Sequence, residues 1–553
     1  MRTPTGGRTA KGASTPSGER TAPKWTPDLR AKRRVWPFGL VTAGFAVVAA
    51  LTALRVALPG WVRPAAHLLS HGPYGRMHGG LFAVALLVLA HGLLRRRQTA
   101  YWVALGVAGL GVLMAGRSLL ALLLVACGVV LAVRRAEFPA VPRPARIRIA
   151  ALSGLAVLGI GVLYDALLQG REELRVDIGS LTLLGVSVAL VVLLAPAAPP
   201  PPADVCTRLR VGELVKDPSS DTLAPFVLRH DKTYVFSSDG RAAVGYRVLL
   251  GVAVVGGDPV GEPGSFPDAV DSFVRVCDRA GWRVSVLGVR ADLQPLWRGH
   301  GLRVVGIGDE VLLPVDKFSL SGRSMRNVRQ AVQRTHNMGV TTAVVREGDI
   351  PEGLRRDLAE LSARWLNGSR ERGFSMILDG LLTRAHPDCV LVIARDSAGA
   401  VVGFQRYAPI GPALSLDTMR RDRHGPNGLN ERMIVDLVDY ARSRSIDLIS
   451  LNFAAFRPLM DAGDERGRVE RVGYRALHVL DPLIQLESLY LFNAKFRPTY
   501  LPRGVAFPSW LSVPVVAAAM VGMEFGLGYD RRRPPEPVLL PDRQHLPTPH
   551  PIR

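Results

Sequence analysis

Six apolar stretches crowd the first two hundred or so residues of this 553-residue chain, at about 38–58, 79–94, 101–116, 118–133, 147–168 and 180–196. Contiguous apolar surface on that scale belongs in a bilayer, where the backbone must satisfy its own hydrogen bonds and a helix is the simplest solution. Several stretches fall short of the ~20 residues a span needs, so interfacial neighbours have to extend them. The third and fourth also fit a single re-entrant hairpin. The sequence therefore predicts an α-helical membrane domain of about six spans over residues 38–196.

Charge orients these spans, because cytoplasmic loops collect Lys and Arg. Residues 1–37 form a polar tail, rich in Gly, Thr and Pro, with nine Lys or Arg that end in Lys32-Arg33-Arg34. Such a composition predicts disorder, and it is too long and polar for the start of a cleaved signal peptide. Arg95-Arg96-Arg97 follows the second stretch, and Arg134, Arg135, Arg143, Arg146 and Arg148 lie between the fourth and fifth. With the N-terminus in the cytoplasm all of these fall on one side, and an even number of spans returns the rest of the chain to that side. The expected location is a plasma membrane, multi-pass, with the N-terminus and the soluble half cytoplasmic.

A Pro-rich linker at 197–204 precedes a soluble half in which short β-rich runs alternate with helical patterns. Strands are expected around Ala242–Val255, Val284–Val289, Val304–Ile307, Cys389–Ala394, Val401–Ala408 and Leu448–Phe453, and helices over 267–281, 321–337, 352–367 and 429–444. This is an α/β pattern in two similar halves, 205–345 and 346–515, followed by a C-terminal helix and polar tail at 516–553.

The net charge of +22 and isoelectric point near 10.6 suit anionic partners, nucleic acid or lipid, although positive-inside loops supply part of the excess. Cys127, Cys206, Cys277 and Cys389 are scattered and suggest neither a disulfide framework nor a zinc site. No HExxH and no GxxxxGK[ST] occurs, and Gly256-Gly257-Asp258-Pro259-Val260-Gly261 reads as a turn rather than a phosphate loop.

Four clusters carry candidate chemistry. The helix Ser321–Arg334 presents Arg323, Arg326, Arg329 and Arg334 beside an apolar stripe of Met325, Val328 and Val332, with no acidic residue. Unpaired Arg suits phosphate, and a solvated basic face fits the same pattern. Asp417 and Arg420 follow a strand, three residues apart; on a helical turn they would be neighbours and could simply pair. Glu431 lies in the first turn of a helix entered through Gly425-Pro426-Asn427-Gly428, where a carboxylate also complements the dipole. The last cluster holds Glu487, Lys495, Arg497 and Arg503 around Phe492-Asn493-Ala494-Lys495-Phe496-Arg497-Pro498. Sixty-two of the 69 basic residues are Arg and no other Lys follows Lys317, so Lys495 stands out.

These pieces together resemble a family. GDPVG at 257–261, RNVRQAVQR at 326–334, WLNG…GFSM at 365–376, LDTMR at 416–420, PNGLNERM at 426–433, SLNFAAF at 450–456 and FNAKFRP at 492–498 occur in the order found in bacterial aminoacyl-phosphatidylglycerol synthases, of an actinobacterial-like branch. The resemblance covers roughly 205–515. It implies tandem acetyltransferase-like (GNAT) folds, an aminoacyl-tRNA donor, most familiarly lysyl-tRNA, and phosphatidylglycerol as acceptor. The chain departs from the family at two points: Glu431 stands where many members have Asp, and Asn493 where many have a second Lys.

Moving an aminoacyl group from tRNA to a lipid hydroxyl exchanges one ester for another, so no cofactor or nucleotide is expected. The chemistry needs a positioned hydroxyl, a route for its proton and oxyanion stabilisation. Asp417, Arg420, Glu431, Glu487 and Lys495 are the catalytic candidates; Arg326, Arg329, Arg334, Arg497 and Arg503 are the substrate-binding candidates. Expected partners are aminoacyl-tRNA, phosphatidylglycerol, the membrane and a second copy in a homo-oligomer. Another lipid or cell-wall acceptor, or a non-catalytic tRNA- or lipid-binding protein, fits the same residues.

Overall fold

The computed structural model describes residues 39–47, 50, 75–115, 119–138, 144–167, 178–368, 377–455 and 491–527. In the N-terminal part it places helices α1 (Gly75–Leu94), α2 (Gln98–Ala115), α3 (Leu119–Val133), α4 (Pro144–Leu167) and α5 (Ile178–Leu194). Among the described residues one window, Ile147–Tyr164 in α4, is long and apolar enough to cross a membrane; Gly80–Leu94 and Leu181–Leu194 are apolar but shorter. Much of the first expected stretch lies outside the described residues. Helices α4 and α5 approach closely because Gly154 and Gly185 face each other: a Cβ on Gly185 would sit 3.0 Å from the Gly154 carbonyl oxygen.

The helical part is tied to the rest by backbone acceptors. Arg97 donates to the carbonyls of Ala280 (3.2 Å) and Gly281 (3.1 Å). Beyond α5, Ala197 N–H donates to Ala280 O, and its own carbonyl accepts the Trp282 indole N–H at 2.8 Å.

The remainder opens with α6 (Val205–Val215), capped by Asp204 accepting from Thr207 N–H, and continues in chain order as β1 (Thr233–Phe236), β2 (Ala242–Leu249), β3 (Val252–Gly256), β4 (Val260–Gly261), α7 (Phe266–Ala280), β5 (Arg283–Arg290), α8 (Gln294–Gly299), β6 (Arg303–Pro314), α9 (Arg326–Asn337), β7 (Thr341–Arg346), α10 (Glu352–Leu366), β8 (Val390–Arg395), β9 (Val401–Ile410), β10 (Ala413–Arg421), α11 (Leu429–Ser443), β11 (Leu448–Ala455), β12 (Thr499–Phe507) and α12 (Val513–Glu524). The strands form one sheet in the order β1-β2-β3-β5-β12-β6-β11-β10-β9-β8-β7, with β4 beside β2. The expected run Ala242–Val255 is a hairpin, since Leu250 (φ 51°) and Gly251 (φ 69°) make a two-residue turn of the kind that suits strand twist.

The same unit occurs twice: β3–α7–β5 and β10–α11–β11 are each a strand, a helix and a parallel strand, and the other pairings are antiparallel. The ends are exchanged. Strand β12, from late in the chain, inserts between β5 and β6, and β6 pairs with β11. Hence the largest apolar core combines Val311, Leu313 and Val328 of the first half with Tyr407, Met433 and Ile449 of the second.

Candidate active site

Strands β10 and β11 pair for three residues, Ala413↔Leu448 to Ser415↔Ser450, and then part. Both are irregular beyond that point: β10 shifts register between Leu416 and Thr418, and β11 between Ser450 and Phe453. Asn452, in the left-handed region (φ 69°), turns its amide into the gap and donates to Leu416 O at 2.8 Å. A gap between diverging parallel strands, next to a helix N-terminus, is where α/β sheets commonly receive ligands.

The shift in β10 is centred on Asp417 and decides what faces where. Leu416 and Met419 both reach the main core, so Thr418 and Arg420 turn to the opposite face. The segment holding Asp417 and Arg420 is thus a bulged strand and not a helical turn, and the two do not pair with each other. Asp417 is buried; it accepts Leu378 N–H at 2.6 Å and Arg406 Nη1 at 2.9 Å. Arg406 Nε in turn donates to Glu347 at 2.6 Å. Arg420 stacks on Trp365, 4.2 Å from the ring centroid, and reaches Ser362 at 3.4 Å. Arg406 and Glu347 are fully buried, and burial raises the Glu347 carboxyl above its ordinary range. Arg406 Nη2 and Glu347 Oε1 have no hydrogen-bond partner among the described residues.

Arg503 lies on this same side of the sheet, fully buried. It donates to Asp221 at 2.7 Å, to Asp258 at 3.3 Å, and to Glu310. Glu310 also accepts from Ser450 at 2.6 Å and from Thr222. The Asp258 carboxyl, from the glycine-rich run read as a turn, is pushed up to about 7 by burial and then by Asp221; it also accepts Arg290 N–H. A buried polar belt therefore runs across this face: Asp221, Asp258, Glu310, Asp417 and Glu347 against Arg503 and Arg406, with Arg420 buried beside it, five carboxylates to three guanidiniums. Sequence reading missed Arg406 and Glu347. The available signal was a Gln-Arg pair inside an otherwise apolar strand, since a buried Arg needs carboxylate partners.

The opposite face carries the reverse sign. Lys495 bridges to Glu431 at 2.9 Å across 64 residues of sequence and remains 42% exposed. Its neighbour Arg497 donates to Ser324 at 3.1 Å, just ahead of α9. Arg329 folds back onto the carbonyls of Leu320 and, at 2.7 Å, Gly322. Arg326 and Arg334 are exposed, and no ion pair involves either among the described residues. Gly428, which opens α11 at φ 100°, lets that helix start directly against α9; a Cβ there would lie 2.8 Å from the Ala331 Cβ. No side chain caps α11, so its first N–H groups add positive potential to this rim. Glu487 lies outside the described residues.

A cavity of about 460 Å³ adjoins the acidic belt and is lined by Leu378, Ala408, Cys389, His230, Asp379 and His386 among others. Leu378 is shared with Asp417, through its N–H. Burial lowers both His230 and His386 to about 4, so both imidazoles are neutral at neutral pH.

Residues 212–507, more than half of the chain, match the family described as phosphatidylglycerol lysyltransferase, C-terminal. The chain belongs to that family. Within this lysyltransferase family, the chain is 41% identical over 324 residues to an MprF-like domain protein of Mycobacterium tuberculosis, a match that covers 57% of the chain and 66% of that protein. It is 40% identical over 311 residues to the lysylphosphatidylglycerol biosynthesis bifunctional protein LysX of Gordonia bronchialis, covering 55% of the chain and 27% of LysX. The chain thus spans about two-thirds of one relative and about a quarter of the other. Its fold is similar to that of L-PGS from Bacillus licheniformis (TM-score 0.52, 21% identity, 57% of this chain and 96% of that one). It is similarly close to the C-terminal domain of a lysylphosphatidylglycerol synthetase from Agrobacterium fabrum (TM-score 0.51, 22% identity, 59% and 98%).

Proposed function

We propose that this protein is a membrane-bound aminoacyltransferase that moves an aminoacyl group, lysyl in the leading reading, from aminoacyl-tRNA to a hydroxyl of phosphatidylglycerol. Its product lowers the negative charge of the membrane surface. The observation that carries the reading is the opposite sign of the two groups flanking the gap between β10 and β11. A lysyl ester brings ammonium groups and needs carboxylates, while tRNA and the acceptor lipid bring phosphates and need fixed cations. The buried belt supplies the first and the rim of Lys495, Arg497, Arg326 and Arg334 supplies the second.

In this reading the aminoacyl group enters toward Asp417, with Arg406 and Glu347 holding that carboxylate in place. The Leu378–Asp417 bond links the adjoining cavity to the same point. The acceptor hydroxyl attacks the aminoacyl carbonyl, a new ester forms, the tRNA ester breaks, and the hydroxyl proton goes to the departing ribose oxygen. Lys495 faces the developing oxyanion, where a preorganised cation is worth most. Glu431 fixes the Lys495 ammonium in the meantime. Arg420 holds the β10 bulge against Trp365, and Arg503 balances the far end of the belt. Arg329 orders the loop ahead of α9 rather than projecting with Arg326.

The helices α1–α5 belong, in the same reading, to a six-span anchor with a cytoplasmic N-terminus, and the repeated strand–helix–strand units are tandem acetyltransferase-like folds. The test is direct. Protein in phosphatidylglycerol vesicles, supplied with lysyl-tRNA, is expected to yield an amine-bearing lipid. Failure to form one with any charged tRNA overturns the proposal.

A further inference from the structure

Helix α12 has an exterior that a water-facing helix does not have. Its exposed positions are Pro514, Ala517, Ala518 and Val521, preceded by Trp510 and Leu511, and none is polar. Leu511 is 89% exposed and Trp510 53%. A surface helix on a soluble sheet normally turns charge outward. The opposite face of α12 is accounted for: Val516, Ala519 and Met523 pack on Val252, Val254 and Phe507.

The position of α12 in the fold supplies the second observation. Parallel strands β3 and β5 both start at one end of the sheet, where Val252 is opposite Arg283. Antiparallel β12 finishes at that same end with Phe507, and β2 finishes there with Leu249. Helix α12 crosses this end, from Phe507 over Val252 to Leu249, where a Cβ on Gly522 would lie 3.0 Å from Leu249. Arg247 fastens the far side by donating to Leu527 O at 2.7 Å. The chain leaving α5 arrives at this end too. Pro196 packs on Gly251, and Arg97 of the α1–α2 connection holds Ala280 and Gly281. Leu250, 58% exposed, and Leu527, 53% exposed, extend the apolar surface beside that junction.

We propose that the outer face of α12, with Trp510, Leu511 and Leu250, rests in the headgroup region of the bilayer that α1–α5 enter. Twelve residues give a helix of ~18 Å, well short of the ~30 Å hydrocarbon core, so α12 lies along the interface rather than crossing it. Trp at such a boundary is energetically at home, and burial of a continuous apolar face drives the contact. The contact adds to the linker and the Arg97 bonds and fixes which end of the sheet faces lipid. The inference rests on the membrane reading of α1–α5.

The test uses the full chain in lipid nanodiscs, with exposed Cys127 and Cys206 changed to Ser and buried Cys277 and Cys389 retained. Nitroxide labels are placed one at a time by Leu511→Cys, Val521→Cys, Leu163→Cys in α4 and Glu360→Cys on exposed α10, and collision with oxygen is compared with collision with a water-soluble nickel chelate. Labels at 511 and 521 are expected to favour oxygen, as the label at 163 does, and to differ from the label at 360. Nickel access at 511 and 521 beside a lipid-exposed 163 overturns the proposal alone. Exclusion of both reagents at 511 and 521, which means cover by a second copy or another segment of the chain, also overturns it. Nickel access at 163 overturns the membrane reading and the proposal together.

Discussion

The two faces of the sheet around the β10–β11 gap are built on opposite principles. On one, charges are buried and mutually satisfied: Arg406 and Arg503 are fully buried, each held by two or more carboxylates. On the other, charges stay near water: Lys495 is 42% exposed and Arg326 and Arg334 project outward. A buried ion cluster costs much to desolvate and more to break, whereas an exposed pair contributes little to stability. The buried side is therefore expected to carry both fold and function, and the exposed side function alone.

The largest effect should come from Arg406→Ala, which strands Glu347 and Asp417 in the interior. A loss of roughly 3–5 kcal/mol in stability is expected, read as a lowered unfolding midpoint, together with loss of transfer. A small shift would mean that the belt is wetter than its burial implies. Asp417→Asn keeps the shape and one acceptor, and lipid product should fall by about a hundredfold or more while the protein still folds. Lys495→Ala isolates the exposed side: turnover should drop on the order of a hundredfold, with a stability change within ~1 kcal/mol. If Lys495→Ala instead unfolds the protein, the contrast between the faces fails.

The helices that frame this contrast were legible in the sequence, and the contrast itself was hidden for identifiable reasons. Helical periodicity located α7, α10 and α11 within a residue or so, because their apolar stripes are strong. The expected 321–337 helix begins later, at Arg326, after a short tight turn at Arg323–Met325. Strand β10 was harder: its bulge breaks the alternation that identifies strands, and Asp417 and Arg420 consequently looked like helical neighbours. The Glu431–Lys495 pair and the Arg503 cluster join residues far apart in sequence, and the exchange of β6 and β12 that creates the latter leaves no local signature.

Two smaller effects sharpen the comparison. Changing Arg326 and Arg334 together to Ala should weaken donor binding and flatten its salt dependence, by ~0.7–0.9 in the log–log slope for each phosphate that is no longer neutralised. An unchanged slope in a tRNA binding titration would assign those residues to a solvated face. On the buried side, His386 has a folded-state value of about 4 against 6.5 in an unfolded chain. The unfolded chain takes up the proton first, so the His386 contribution is fully present above pH 6.5 and is lost progressively as pH falls toward about 4. At pH 5 this amounts to about 2 kcal/mol, and His386→Gln should lose less stability than the parent between pH 7 and pH 5 in a denaturant titration.

In the proposed reaction the acidic belt and the basic rim serve one ester exchange from tRNA to lipid. The most direct measurement supplies the purified full chain, in phosphatidylglycerol vesicles, with tRNA carrying radiolabelled lysine and follows the label into the lipid extract, with Asp417→Asn in parallel. Labelled lipid is expected from the parent chain and almost none from Asp417→Asn. Equal labelling by both proteins would contradict the proposed reaction.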